Sequence, residues 1–175
     1  DEAELRNLMF TAQLKGMGPF SIRYPRGKGV MTEWKTTMKE IKVGTGRKIN
    51  SGNDIAVLTI GHPGNFAQEA IKDLKDSGAS VAHYDMRFVK PIDETMLHEV
   101  FTKFNKVITV EDGCLMGGFG SAVIEFMADQ KYTAEVVRLG IPDAYIQHGT
   151  QKELWEECGF DKNAIVKTIK EMLNI

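Results

Sequence analysis

Residues 55–60 read Ile-Ala-Val-Leu-Thr-Ile (IAVLTI), a near-continuous apolar run. Alternating polar and apolar residues would mark a strand with one wet face. An unbroken run of this length marks a strand buried on both faces, as in a parallel sheet. The flanking pattern agrees. Downstream, Phe66, Ala67, Ala70, Ile71 and Leu74 fall at helical spacing, and the pattern ends near Gly78. Residues 80–84 (SVAHY) form the next strand. Met96, Leu97, Val100, Phe101 and Phe104 mark the next helical face. VITV at 107–110 is a strand, Gly117–Gly120 leads into a helix bearing Ala122, Val123, Phe126 and Met127, and EVVRL at 135–139 is a strand again. Strand and helix thus alternate four times, which predicts an α/β fold with a mostly parallel sheet, helices on both faces and right-handed connections.

The ends are less regular. Leu5, Leu8, Met9 and Ala12 predict an amphipathic helix over 2–15, stopped by Gly16, Gly18 and Pro19. Residues 20–24 (FSIRY) read as a short strand closed by Pro25 and Gly27. Residues 28–40 have no clear period and read as an interdomain linker. IKVGTGRKI at 41–49 reads as a strand pair or an irregular edge strand, and Ser51–Asn53 as a turn. Near the C-terminus, Thr150 and Glu153 have capping-box spacing. Ile165, Val166, Ile169, Met172 and Leu173 supply the buried face of a last helix.

Composition narrows the function. Of the 175 residues, 42% are hydrophobic and 26% charged, as in an ordinary globular domain, and the formal net charge of −2 gives no footprint for a nucleic acid. No apolar run approaches the roughly 20 residues that span a bilayer. Cys114 and Cys158 are single and distant, which favours a reducing compartment over a disulfide framework. The chain opens on Asp1 inside a helical pattern and is expected to be a piece of a longer protein.

Gly113–Gly120 (GCLMGGFG) stands where a dinucleotide-binding turn would stand, but the glycine spacing is wrong and Glu111-Asp112 precede it. The glycines are therefore read as a tight turn with close helix packing. Glu111 and Asp112 are also weighed as an acid/base pair, although neighbours on a strand point to opposite faces. His62, His83, His98 and His148 show no metal-ligand spacing. Arg23 and Arg26 in IRYPRG are the remaining candidates: an Arg held after a strand by Pro25 suits a phosphate monoester.

Four blocks together resemble the 1-deoxy-D-xylulose-5-phosphate synthase family of transketolase-like enzymes. They are SIRYPRG at 21–27, DMRFVKPID at 85–93, VEDGCLMGGFGSAV at 110–123 and IQHGTQKELWEECGFD at 146–161. The resemblance implies a homodimeric, cytoplasmic transferase dependent on thiamine diphosphate and magnesium. It condenses pyruvate with glyceraldehyde 3-phosphate, with loss of carbon dioxide, towards isoprenoid, thiamine and pyridoxal precursors. It implies that residues 1–40 are the tail of a pyrimidine-binding domain plus linker. Residues 41–175 become a transketolase C-terminal-type domain, a three-layer α/β/α sandwich of about five strands. Arg26 matches the family Arg that helps bind the aldehyde's phosphate, and Arg23 is read as a strand-face residue.

No catalytic, cofactor-binding or metal-binding residue is assigned within the chain. Thiamine diphosphate and magnesium belong to the intact enzyme, and none is expected on this piece. The piece is expected to be inactive alone and to serve packing and dimerisation, with Phe119 and Phe126 offering a flat surface. Its partners are the rest of its chain and a second copy, with no nucleic acid and no membrane. The alternatives are the matching portion of a transketolase or of a 2-oxoacid dehydrogenase β chain, and a free-standing α/β ligand-binding or interaction module. The paired RFVKPID and YPRG blocks favour the synthase.

Overall fold

The computed structural model describes residues 1–175, which form two compact units, Asp1–Val43 and Gly44–Ile175. In the first unit, helix α1 (Glu2–Ala12) is capped by Asp1, whose carboxylate accepts the Glu4 amide at 2.9 Å. The helix stops at Ala12, three residues short of the expected end. Residues 20–24 are not a strand. A strand persists through a ladder, and this segment finds no partner strand in the chain.

Within residues 28–40, expected as a linker, the stretch from Val30 to Lys39 is tied along α1 by helix side chains, and Ile41 just beyond it is tied in the same way. The Glu2 carboxylate accepts the amides of Val30 (2.9 Å) and Met31 (2.8 Å). Asn7 Oδ1 accepts the Lys39 amide, and Thr11 Oγ1 accepts the Ile41 amide, each at 2.9 Å. Arg6 donates to the Thr36 carbonyl and lies over the Trp34 ring. Thr11 and Ile41 are buried at the end of this seam.

The second unit is a five-stranded sheet in the order β1-β3-β2-β4-β5. The strands are β1 (Arg47–Asn50), β2 (Ile55–Ile60), β3 (Val81–Asp85), β4 (Lys106–Cys114) and β5 (Glu135–Ile141). β2, β3, β4 and β5 run parallel, and β1 pairs antiparallel with β3. The 41–49 stretch therefore supplies one short edge strand, not a pair. The helices are α2 (Pro63–Asp73), α3 (Glu94–Lys103), α4 (Phe119–Asp129), α5 (Gln151–Glu157) and α6 (Lys162–Leu173).

Two hydrophobic clusters sandwich the sheet. Ala56, Leu58, Tyr84 and Val107 pack under α3 and α4, whereas Ile55, Val57, Ile108 and Val110 pack under α2 and α6. β2 therefore buries both faces, as its apolar run requires, and each fully buried Leu or Ile contributes roughly 1.5–3 kcal/mol. Phe119 and Phe126 belong to the first cluster at 1% and 7% exposure. They face the chain's own core and are not available as a docking surface, because α4 turns its apolar stripe to the sheet. Capping fixes the helix ends. Thr150 and Glu153 form the expected capping box on α5. Asp93 accepts the Met96 amide at the start of α3 and the Gly46 amide ahead of β1. The DMRFVKPID block is thus largely architectural, with Met86 and Phe88 buried in the same segment.

Candidate functional site

The chain passes from β2 through α2 to β3 on one side, then from β3 through α3 to β4 on the other side of β2. The connections that leave the carboxyl ends of β2 and β4 therefore run in opposite directions, which makes the crevice where open α/β sheets bind ligands. Two adjacent carboxylates at the end of β4 border it. Strand alternation sends them to opposite faces.

Glu111 turns towards α4. It is 4% exposed, and its two carboxylate oxygens accept the amides of Phe119 and Gly120, both at 2.8 Å. These are first-turn amides of a helix, the position that a phosphate takes in a dinucleotide site. Here the protein's own carboxylate fills it. A Cβ on Gly118 would lie 2.1 Å from the Cys114 carbonyl oxygen and 2.4 Å from Glu111 Oε2, so residue 118 has to be glycine for the loop to close. Arg138 Nη1 ties the same loop by donating to the Leu115 carbonyl (2.6 Å) and Ser121 Oγ (2.9 Å). The glycine block is a close-packed turn, in line with its spacing.

Asp112 turns the other way and meets His62, in the loop between β2 and α2, at 2.8 Å from Nε2. The imidazole packs edge-on against Phe66 (5.5 Å) and tilted against Trp155 of α5 (5.1 Å). Burial, then the charges of Glu157 and Asp112, push the Cys158 thiol up, so it remains protonated and offers no nucleophile to the pair. Glu111 and Asp112 are not an acid/base couple. One caps a helix, and the other joins β4 to the start of α2 and to α5. A separate imidazole, His83, is 1% exposed, shares a 2.9 Å hydrogen bond between Nε2 and Thr59 Oγ1, and has no partner at Nδ1. Burial, then the nearby Arg47 charge, lowers its pKa to about 4.

Arg26 lies in the first unit, in the loop between α1 and the tied segment. It is exposed. Arg23 is exposed in the same loop. Beyond the loop, Glu2 carries a pKa below the ordinary carboxylate value: burial acts to raise it, but the amides of Glu2 itself, Met31 and Val30 together outweigh burial. Nothing in the sequence pointed to the His62–Asp112 pair, whose members stand 50 residues apart. A carboxylate eight residues before a helix likewise gives no local signal of capping it.

The sheet is doubly wound with one antiparallel edge strand, and a carboxylate of the chain itself caps α4. Residues 44–165 match the model of the transketolase C-terminal domain, and the chain belongs to that family. It is 62% identical over 176 residues to a 1-deoxy-D-xylulose-5-phosphate synthase of Cytophaga hutchinsonii, covering 100% of this chain and 28% of that protein. It is 54% identical to the synthase of Bacteroides thetaiotaomicron, over 97% of this chain and 26% of that protein. The chain thus spans little more than a quarter of these curated relatives. Among solved structures, a split-gene transketolase described as an inactive β4 tetramer superposes with a TM-score of 0.69 at 29% identity, covering 78% of this chain and 43% of that one. A transketolase from Campylobacter jejuni shares the fold, with a TM-score of 0.53 at 17% identity over 73% of this chain and 18% of its own.

Proposed function

We propose that this chain is the C-terminal part of a 1-deoxy-D-xylulose-5-phosphate synthase, and that Arg26 helps bind the phosphate of glyceraldehyde 3-phosphate. The intact enzyme condenses that aldehyde with pyruvate and releases carbon dioxide. Residues 1–40 are then the end of the pyrimidine-binding domain with its linker, and residues 41–175 the C-terminal domain.

The observation that supports the Arg26 assignment is the SIRYPRG block at 21–27, with Arg26 directly after Pro25, in a chain similar to named synthases along its whole length. A guanidinium presents its planar donor fork to a dianionic phosphate, which accepts two parallel hydrogen bonds. The similarity to named synthases across the whole chain supports the substrate class.

The chain's own residues do not fit a thiamine diphosphate–magnesium site. No three His, Cys, Asp or Glu side chains converge as metal ligands, and the helix terminus best placed for a phosphate is filled by Glu111. The cofactor, which supplies the carbanion chemistry when bound, is held by the rest of the enzyme, and no proton or electron step is assigned here. This piece contributes packing, the phosphate contact and part of a dimeric assembly, and is inactive alone. Both cysteines are free thiols, in keeping with a cytoplasmic protein.

In the intact enzyme, Arg26→Ala raises the KM for glyceraldehyde 3-phosphate about a hundredfold, as expected for losing a charge-assisted fork. The KM for pyruvate stays within about twofold by the same reasoning. Equal rises for both substrates sink the assignment.

A further inference from the structure

We infer that residues 44–46 form a strap seated on the DMRFVKPID block, and that Asp93 is its latch, so that the pivot between the two units is confined to Lys42 and Val43. This rests on the reading of the chain as two domains joined by a linker, made above.

The chain is held on either side of this point, each time within its own unit. In the first unit the Ile41 amide donates to Thr11 Oγ1 at 2.9 Å, and both residues are buried. In the second unit the Gly46 amide donates to Asp93 Oδ2 at 2.8 Å. The other Asp93 oxygen accepts the Met96 amide at 2.9 Å, as the N-cap of α3. One carboxylate thus fastens the entering chain to a helix of the domain it enters. The bond to Gly46 is charge-assisted and joins residues 47 apart in sequence. Both of its partners lie within Gly44–Ile175.

The seat also dictates the two glycines of the strap. Gly44 has a φ of 75°, and a Cβ there would lie 2.9 Å from Pro91 Cγ. A Cβ on Gly46 would lie 2.8 Å from the Asp85 carbonyl oxygen and 2.7 Å from Met96 Sδ. Side chains are excluded so that the strap can lie against the block. Glycines are also the residues most free to turn once released. Without the latch, a tether of two residues, with two soft dihedrals each, lengthens to residues 42–46 and takes in both glycines. The latch therefore sets whether the junction is short and stiff or long and loose. β1 begins at the next residue, so the strap also fixes where the edge strand enters its ladder with β3.

Asp93→Asn and Asp93→Ser separate the latch from the helix cap. Each keeps one side-chain oxygen for the Met96 amide, and both residue types are good N-caps. Neither keeps an acceptor for Gly46: Asn offers a donor there, and Ser has a single oxygen. Gly44→Ala unseats the strap from the Pro91 side. Gly78→Ala is the control, a glycine outside the strap with a φ of 81° and open space around its Cβ. In the full-length enzyme, hydrogen exchange over residues 42–46 and over α3 is followed for each variant, with tryptic cleavage after Lys42 in parallel.

Exchange over 42–46 and cleavage after Lys42 should accelerate about tenfold in Asp93→Asn, Asp93→Ser and Gly44→Ala, as for the loss of one charge-assisted bond. Exchange in α3, and both readouts in Gly78→Ala, should stay within about twofold. Unchanged exchange over 42–46 in the Asp93 variants overturns the latch. So does equal acceleration in α3 or in Gly78→Ala, because Asp93 would then act only through overall stability. The two-domain reading is tested by the cleavage product. If the piece that begins at Val43 loses the circular dichroism of a folded α/β domain, that reading fails and the strap falls with it, whatever the order of the variants.

Discussion

Glu111 Oε1 accepts the Gly120 amide at 2.8 Å, so a carboxylate at the end of one strand seals the helix that begins eight residues later. The bond is buried, and its companion to Phe119 is equally short. A helix N-terminus buried without acceptors would leave orphaned amides, each expensive away from water. The glycine-rich turn between strand and helix is therefore shaped around an internal anion.

Removing that anion should destabilise the domain more than a surface change does. Glu111→Ala is expected to cost about 3 kcal/mol, and Glu111→Gln less, since one acceptor oxygen remains. Gly118→Ala should be comparably harmful, because its methyl would collide with the Cys114 carbonyl and the Glu111 carboxylate. Urea unfolding followed by circular dichroism reads the change in midpoint. An unchanged midpoint for Glu111→Ala means that the cap contributes nothing.

Stability should fall on acidification because of His83. Its folded pKa is about 4, below the ordinary 6.5, so the native state excludes a proton that the unfolded chain binds. The contribution is complete above pH 6.5 and is lost as pH falls from 6.5 to 4. The loss amounts to about 2 kcal/mol at pH 5 and approaches about 3 kcal/mol near pH 4. Unfolding titrations at several pH values on the protein and on His83→Leu isolate the effect. Identical pH slopes for the two would show that His83 is not the group responsible.

The His62–Asp112 pair should act as a fastener between β4, the start of α2 and α5. The two side chains are 15% and 29% exposed, so solvent screens part of the interaction. Asp112→Asn is expected to cost about 1 kcal/mol. Its clearer signature is local: faster amide exchange in α5 and a shifted Trp155 fluorescence, because Trp155 packs on the imidazole at 5.1 Å. Exchange spread evenly over the domain would rule out a local fastener.

Local patterning was enough for much of this protein. IAVLTI announced a strand buried on both faces, and the alternation of strand and helix announced a mostly parallel sheet, because periodicity records which faces of an element meet the core. Thr150 and Glu153 announced their capping box because its partners lie within one turn. Other features were decided only by the tertiary structure. FSIRY has strand-like composition but no strand beside it. Residues 30–41 lack periodicity because α1 holds them through their backbone amides and carbonyls, which no side-chain pattern betrays. Phe119 and Phe126 could face the core or a partner until the helix was docked. The division follows the range of the forces: steric and hydrogen-bonding preferences within a turn are written in neighbouring residues. The Glu111 cap, the His62–Asp112 pair and the Glu2 clasp exist only once the chain has brought distant residues together.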